Sequence, residues 1–155
     1  MLEPNLQGYF PYTPSTNLLY GLDEALDMLH AEGMDAVIQR HGRLAHATRL
    51  AVEAWGLENL CLNADEYSNS TTAVVLPEGH DADSLRAIIL ERFNMSLGMG
   101  LGKVKGKVFR IGHLGDFNDL MLAGTLAGVE MGLGLAAIPH NKGGVIAAMD
   151  YLASQ

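Results

Sequence analysis

The chain has 155 residues, of which 48% are hydrophobic, and its formal net charge is −8. This size allows one domain with a hydrophobic core, or one domain and a piece of another. The acidic charge argues against a nucleic-acid partner, because phosphate binding needs a basic surface. The single cysteine, Cys61, excludes an internal disulfide and fits a reducing compartment such as the cytoplasm.

The sequence predicts neither a signal peptide nor a membrane-spanning segment. Its start, Met1-Leu-Glu-Pro4, lacks the basic and apolar stretches that a signal peptide has. No run of about 18 apolar residues exists, which is the length that a membrane-spanning helix requires. The chain is therefore expected to be soluble.

Residues 1–16 are predicted to form an extended loop. Pro4, Pro11 and Pro14 disfavour a helix in this segment and hold the chain open. The segment is also rich in aromatic residues for a solvated tail, so another surface is expected to cover it. These aromatic residues are Tyr9, Phe10 and Tyr12.

Two amphipathic helices are predicted next, over 17–31 and 35–55. The first carries an apolar stripe at helical spacing and ends at Gly33. The second includes His41 in its stripe, which we interpret as a partly buried, hydrogen-bonded residue because no further ligands stand at a zinc-type spacing. The stripe of the first helix consists of Leu18, Leu19, Leu22, Leu26 and Leu29.

Short strands follow the two helices. β-Branched and apolar residues predict strands over 59–62 and 71–76, and a further short strand near 95–97. Cys61 lies in the first of these strands and is expected to be a small core residue. Its apolar neighbours favour this structural role over a reactive one.

A helix capped by Asp81 or Asp83 is predicted between the second and third strands, ending near Phe93. The glycine-rich segment 98–106 then suggests a phosphate-binding loop. That interpretation fails because Lys103 is followed by valine, where the motif requires serine or threonine to meet the metal. The segment is therefore expected to be a hairpin loop.

The residue best suited to bind a ligand comes next. Val108, Phe109 and Ile111 predict a short buried strand. Arg110 lies near the carboxyl end of this strand, where its planar guanidinium could hold two oxygens of a carboxylate. From the spacing alone we favour the alternative that Arg110 points outward and pairs with a surface acid.

A glycine-containing turn and a long helix follow this strand. Gly112 and Gly115 end the strand, and Asp116 is a suitable N-cap. Asp119 would then occupy the third helical position, where the helix dipole favours a negative charge. His113 is expected to shape the turn and face solvent, the alternative being contact with a substrate.

The long helix is predicted to end near Met131, and a last helix spans 145–152. Gly124, Gly128 and Gly132 recur in it at four-residue spacing. Since each glycine costs about 1 kcal/mol relative to alanine inside a helix, the repeat indicates close approach to another element.

The order of these elements predicts an α+β fold. Two helices precede a small, mainly antiparallel sheet, and the remaining helices are expected to pack on one face of that sheet.

Two long blocks of the sequence resemble one enzyme family. They are Gly8-Tyr-Phe-Pro-Tyr-Thr-Pro-Ser-Thr-Asn-Leu-Leu-Tyr-Gly21 and Phe109-Arg-Ile-Gly-His-Leu-Gly-Asp-Phe-Asn-Asp119, and the likeness extends to Pro139-His-Asn-Lys-Gly-Gly144. The chain resembles the C-terminal part of the serine–glyoxylate and alanine–glyoxylate aminotransferases, which are class V, fold type I pyridoxal-phosphate enzymes. The resemblance implies that residues 1–33 are the tail of the large domain and that 34–155 are the small domain of a homodimer.

The resemblance also implies roles for three residues. In that family the arginine at the position of Arg110 grips the α-carboxylate of the substrate, which is serine or alanine as amino donor and glyoxylate as acceptor. The N-terminal loop would cross to the partner subunit, where Thr13 and Tyr9 contact the cofactor. The alternative is that this loop packs on the chain's own helices.

The chemistry of transamination is incomplete in this chain. It needs a lysine that forms a Schiff base with pyridoxal phosphate, and the resemblance implies that this lysine lies upstream. We therefore expect no catalytic residue here; the alternative function is a stand-alone small-molecule-binding or dimerisation module. The chain's own lysines lack an apolar context and are Lys103, Lys105, Lys107 and Lys142.

Overall fold

The computed structural model describes residues 2–154. This part of the chain divides into two compact units, one ending at Ile38 and the other beginning at Gln39. Its helices and strands are α1 (Leu2–Leu6), α2 (Thr16–Glu32), α3 (Met34–Ala54), β1 (Glu58–Asn59), β2 (Thr71–Val75), α4 (Ala82–Phe93), β3 (Gly98–Met99), β4 (Val108–Gly112), α5 (Asp119–Leu135) and α6 (Gly144–Ala153). Short 3₁₀ helices span Ala64–Glu66 and Gly102–Val104.

The first unit starts with a helix that the sequence did not predict. Residues 1–16 were expected to be extended, yet α1 occupies Leu2–Leu6. Pro4 lies in the first turn of this helix, where the backbone N–H that proline lacks has no intrahelical partner. Pro11 and Pro14 stand in the non-helical segment that leads to α2.

Helix α2 confirms the second prediction for this unit, but its apolar face is uncovered. No residue of α2 is buried. Side-chain exposure in the leucine stripe runs from 44% at Leu26 to 74% at Leu18, and Leu29 is half-buried. Tyr9, Phe10 and Tyr12 are also exposed.

The second unit is built on a four-stranded antiparallel sheet in the order β1-β2-β4-β3. The central pair, β2 and β4, is aligned from Thr71 opposite Gly112 to Val75 opposite Val108. The α+β prediction is confirmed. The glycine-rich segment is also the expected hairpin, because it joins the antiparallel strands β3 and β4.

One face of the sheet forms the core of this unit. Val74, Phe109 and Ile111 are fully buried and share one cluster with buried residues of α3, α4, α5 and α6. Because neighbouring strand residues point to opposite faces, Arg110 lies on the other side of the sheet. The helices thus pack on one face, as the sequence predicts.

Several predicted boundaries shift in the structure. Strand β1 is only Glu58–Asn59, so Cys61 lies outside it and is half-buried rather than a core residue. The third strand is Gly98–Met99 instead of 95–97. Asn118, not Asp116, caps α5 by accepting a hydrogen bond from the Met121 amide, and Asp119 is the first helical residue.

Two glycines of α5 lie close to neighbouring side chains, one on α4 and one just beyond its end. A Cβ atom at Gly132 would overlap the side chain of Ile89, and one at Gly128 would lie 2.7 Å from Met95 Cε. At Gly124, by contrast, a Cβ would meet nothing within 4 Å. Close approach therefore explains two of the three glycines, and the prediction is wrong for Gly124.

Alanine substitutions at Gly132 and Gly124 should have opposite effects on stability. Gly132→Ala is expected to lower the free energy of unfolding by about 1–3 kcal/mol, because the new methyl group overpacks the α4–α5 interface. Gly124→Ala should raise it by about 0.5–1 kcal/mol through helix propensity alone. Urea unfolding of both variants tests this, and equal effects at the two positions would contradict the packing explanation.

Candidate functional site

Arg110 is held in the middle of the sheet's open face. Its strand neighbours are Ala73 on β2 and Gly98 on β3. The half-buried Arg110 side chain lies across β3, and its Nε donates a hydrogen bond of 2.9 Å to the Met99 carbonyl. This bond fixes the direction of the guanidinium.

The end of the guanidinium remains available to a ligand. Within residues 2–154 the two terminal nitrogens of Arg110 donate no hydrogen bond, and no carboxylate pairs with it. The expectation that Arg110 pairs with a surface acid is therefore wrong. Two parallel N–H groups on a fixed plane match the two oxygens of a carboxylate.

Gly98 makes room for this arrangement. A Cβ atom at Gly98 would lie 3.0 Å from Arg110 Cβ and 3.1 Å from its Nε. Such distances are shorter than ordinary van der Waals contacts, so any larger residue would push the arginine away from Met99. The sequence does not reveal that Gly98 and Arg110 stand opposite each other on two neighbouring strands.

Helix α3 holds the turn that follows Arg110. Arg40 Nη1 donates hydrogen bonds to the carbonyls of Gly115 at 2.8 Å and Phe117 at 3.0 Å. His41 Nε2 accepts one of 3.0 Å from the Gly115 amide, which confirms it as a buried, hydrogen-bonded residue. The turn is thus fixed by side chains from 74 to 77 positions earlier in the sequence.

An ion pair joins the same helix to the start of α5. Arg43 binds Asp119 with both terminal nitrogens, at 2.6 and 3.1 Å. The sequence indicates an acid favourable to the helix dipole at Asp119 but gives no signal for its arginine partner. This paired geometry anchors α5 relative to α3.

His113 is buried, contrary to the expectation that it faces solvent. Its Nδ1 lies 3.2 Å from the Asn69 carbonyl, and its Nε2 lies 3.0 Å from Thr72 Oγ1. Since a carbonyl can only accept, Nδ1 carries the proton and Nε2 accepts from the threonine hydroxyl. His113 therefore fastens the turn to the loop before β2.

This environment keeps the imidazole neutral. Desolvation by burial lowers the pKa of His113 from 6.5 to about 4, although the hydrogen bond to Asn69 acts in the opposite direction. Electrostatic interactions with Arg49 and His41 lower it further. A folded-state pKa below the unfolded value means that the unfolded chain binds the proton more tightly.

Acid should therefore destabilise the fold through His113. Between pH 6.5 and about 4, His113 becomes protonated in the unfolded state but stays neutral in the folded state. The free energy of unfolding therefore falls as the pH falls. From about pH 7 to about pH 5 we expect a loss of about 2 kcal/mol, at ~1.4 kcal/mol per pH unit. Urea unfolding at both pH values measures it.

The matched control is His113→Asn, which keeps one donor and one acceptor but does not titrate. Its stability should fall less over the same range. An identical pH dependence in both proteins would contradict the assignment to His113.

The residues expected to contact a cofactor are all exposed. Tyr9 and Thr13 lie in the first unit, whereas Arg110 lies in the second. None of the four lysines is buried. Among residues 2–154 there is no group of three His, Cys, Asp or Glu side chains that could hold a metal ion, and no helix is long and apolar enough to cross a membrane.

Comparison with known proteins gives consistent matches. The chain is 54% identical over 145 residues to a serine–glyoxylate aminotransferase from Arabidopsis thaliana, using 93% of this chain and 36% of that protein. It is 49% identical over 153 residues to the one from Methylorubrum extorquens, using 97% and 38%. No family model matches the chain.

A solved structure matches in the same way. Pyridoxamine–pyruvate aminotransferase from Mesorhizobium loti aligns with a TM-score of 0.87 and 34% identity, over 94% of this chain and 38% of that one. The chain therefore spans about a third of the length of the curated relatives it matches.

Proposed function

This chain is a homologue of the serine–glyoxylate aminotransferases over the third of their length that it spans, and we propose that it is the C-terminal part of such an enzyme. The intact protein would transfer an amino group from serine or alanine to glyoxylate. Residues 1–33 would be the tail of its large domain and 34–155 its small domain. These boundaries come from the sequence resemblance and lie close to the division at Ile38.

The fixed guanidinium of Arg110 is the observation that supports the proposal most directly. Its guanidinium is anchored to the Met99 carbonyl through Nε and presents its terminal nitrogens away from the helical core. Both the amino donor and glyoxylate carry a carboxylate next to the reacting carbon. Binding that carboxylate by a fixed plane of donors would place each substrate in the same orientation, which favours reaction by reducing its freedom.

The chain by itself does not provide a full binding site for the cofactor. Pyridoxal phosphate supplies the electron-accepting ring in transamination and needs a lysine partner. The four lysines are exposed and stand in loops, in turns or in a short 3₁₀ helix, without the apolar surroundings that would activate an amine. We therefore derive no catalytic step from this chain, and Arg110 has only a binding role.

Cofactor contact and dimer formation belong to the same proposal. The exposed Tyr9 and Thr13 hydroxyls would contact the cofactor of a partner subunit. The exposed leucine stripe of α2 supports self-association, since a large uncovered apolar face marks an interaction surface. We propose a homodimer located in the cytoplasm.

The second candidate function is a binding module without catalysis. The exposed lysines and the available guanidinium of Arg110 both favour it for the chain alone. In that case Arg110 would bind a carboxylate as a regulatory ligand.

Borohydride reduction distinguishes the enzyme fragment and the binding module, which both lack a catalytic lysine, from a complete enzyme. The purified chain mixed with pyridoxal phosphate and then borohydride should show no adduct confined to one lysine, because its lysines have similar exposed surroundings. Absorbance and peptide mapping provide the measurement. A single specific adduct would contradict the fragment proposal and show a complete cofactor site.

Arg110 itself can be tested with glyoxylate. Titration should shift the amide resonances of Gly98, Met99 and Arg110. Arg110→Gln should weaken binding about tenfold or more, because a charge-assisted pair of hydrogen bonds is lost. Arg110→Lys keeps the charge but not the planar guanidinium. Its affinity for glyoxylate should lie between that of the unsubstituted chain and that of Arg110→Gln.

The matched control is Arg92→Gln, which removes the charge of an exposed arginine at the end of α4. It should leave glyoxylate binding unchanged. If both glutamine variants lose affinity equally, net charge rather than the Arg110 site attracts the anion, and the proposed role is wrong.

A further inference from the structure

A cavity of ≈ 270 Å³ lies beside the β1 edge of the sheet. Its lining comes from α3, from β1 and β2, and from the loop between these strands. The residues that matter for its chemistry are Arg49, Asn59, Cys61, Glu66, Tyr67 and Thr72.

Residues from both faces of the sheet line the cavity, because Thr71 and Ala73 alternate with Thr72 along β2. Asn59 stands opposite Val74, and Thr72 stands opposite Ile111. Residues paired across antiparallel strands share a face, so Asn59 and Thr72 lie on the helix side. Arg110, paired with Ala73, lies on the other side.

Asn59 brings an unsatisfied acceptor to this cavity. Its side-chain oxygen is buried and has no hydrogen-bond partner among residues 2–154. A buried acceptor without a partner costs about 1–3 kcal/mol. A ligand that carries an N–H or O–H donor would recover this free energy.

Arg49 brings a cation that forms no ion pair within residues 2–154, although the charge of Glu53 on the same helix interacts with it. Its guanidinium lies over the Tyr67 ring, 4.9 Å from the centroid, and makes one long hydrogen bond of 3.4 Å to the Ser68 carbonyl. Burial lowers the pKa of Arg49, although an arginine stays charged at neutral pH.

The pattern of charges selects the ligand. Arg49 is suited to a carboxylate, while Asn59 Oδ1 and the Glu66 carboxylate are acceptors that favour a donor of positive charge. Glu66 also disfavours a dianion such as a phosphate ester by repulsion. The volume corresponds to about nine water molecules at ~30 Å³ each, which suits a small metabolite.

We propose that this cavity binds a small α-amino acid as its zwitterion. The carboxylate lies on Arg49, and the ammonium group donates to Asn59 Oδ1 and faces Glu66. The site is separate from the carboxylate-binding role of Arg110 and does not depend on it.

Cys61 provides a local readout, because it lines the cavity and is the only cysteine in the chain. L-Serine is the probe, and iodoacetamide labelling followed by mass spectrometry gives the alkylation rate of Cys61. Saturating serine should slow this rate. Propionate, which lacks the ammonium group, and serine methyl ester, which lacks the carboxylate, should protect Cys61 much less.

Three variants assign the contacts, with calorimetry of serine binding as a second measurement. Arg49→Gln should weaken protection about tenfold or more through loss of charged hydrogen bonds. Glu66→Gln, at an exposed position, should weaken serine binding while leaving the weak effect of propionate unchanged. Asn59→Leu should abolish protection and leave the free protein at least as stable, because it removes the unsatisfied acceptor.

Arg110→Gln separates this proposal from the proposed function. It should leave serine protection of Cys61 unchanged while it weakens glyoxylate binding. Loss of protection in Arg110→Gln but not in Arg49→Gln would overturn the cavity site and support Arg110 as the amino-acid ligand. Equal protection by propionate, or none by serine, would also overturn it.

Tryptophan fluorescence of Trp55 verifies folding, and Glu66→Gln keeps the test decisive if Arg49→Gln unfolds.

Discussion

The antiparallel pairing of β2 with β4 is the constraint on which the rest of the second unit depends. Its register places Val74 opposite Phe109 in the core and Ala73 opposite Arg110 on the open face. A shift by one residue would bury Arg110 and expose Phe109. The cost of burying an unpaired guanidinium, together with the loss of apolar burial, therefore specifies this register.

The same register determines where ligands can be held. On the open face, Gly98 and the Met99 carbonyl orient Arg110 for a carboxylate. On the helix side, the short strand β1 leaves Asn59 Oδ1 without a partner beside Arg49. Arg110 on β4 and Arg49 on α3 are thus two cationic groups that are oriented by contacts with neighbouring residues and not by an ion pair.

Much of the fold could be predicted from the sequence because its signals are local. The leucine stripe of α2, the Asp81 cap of α4 and the alternation around Arg110 each depend on residues a few positions apart. Boundaries were less certain where two residues compete for one role. Asn118 rather than Asp116 caps α5, and Pro4 lies in a helix because the first turn needs no proline N–H.

The amino-acid sequence alone was enough to predict the α+β class, the strand that carries Arg110 and the likeness to aminotransferases. The folded chain was needed to show that His113 is buried and that Arg40 and His41 hold the turn at Gly115. Such partners lie more than 40 positions apart, so no local spacing reveals them. The bonds of Arg40 and His41 come from α3, and those of His113 come from β2 and the loop before it. They form because burial leaves each polar group to find a hydrogen bond within the protein.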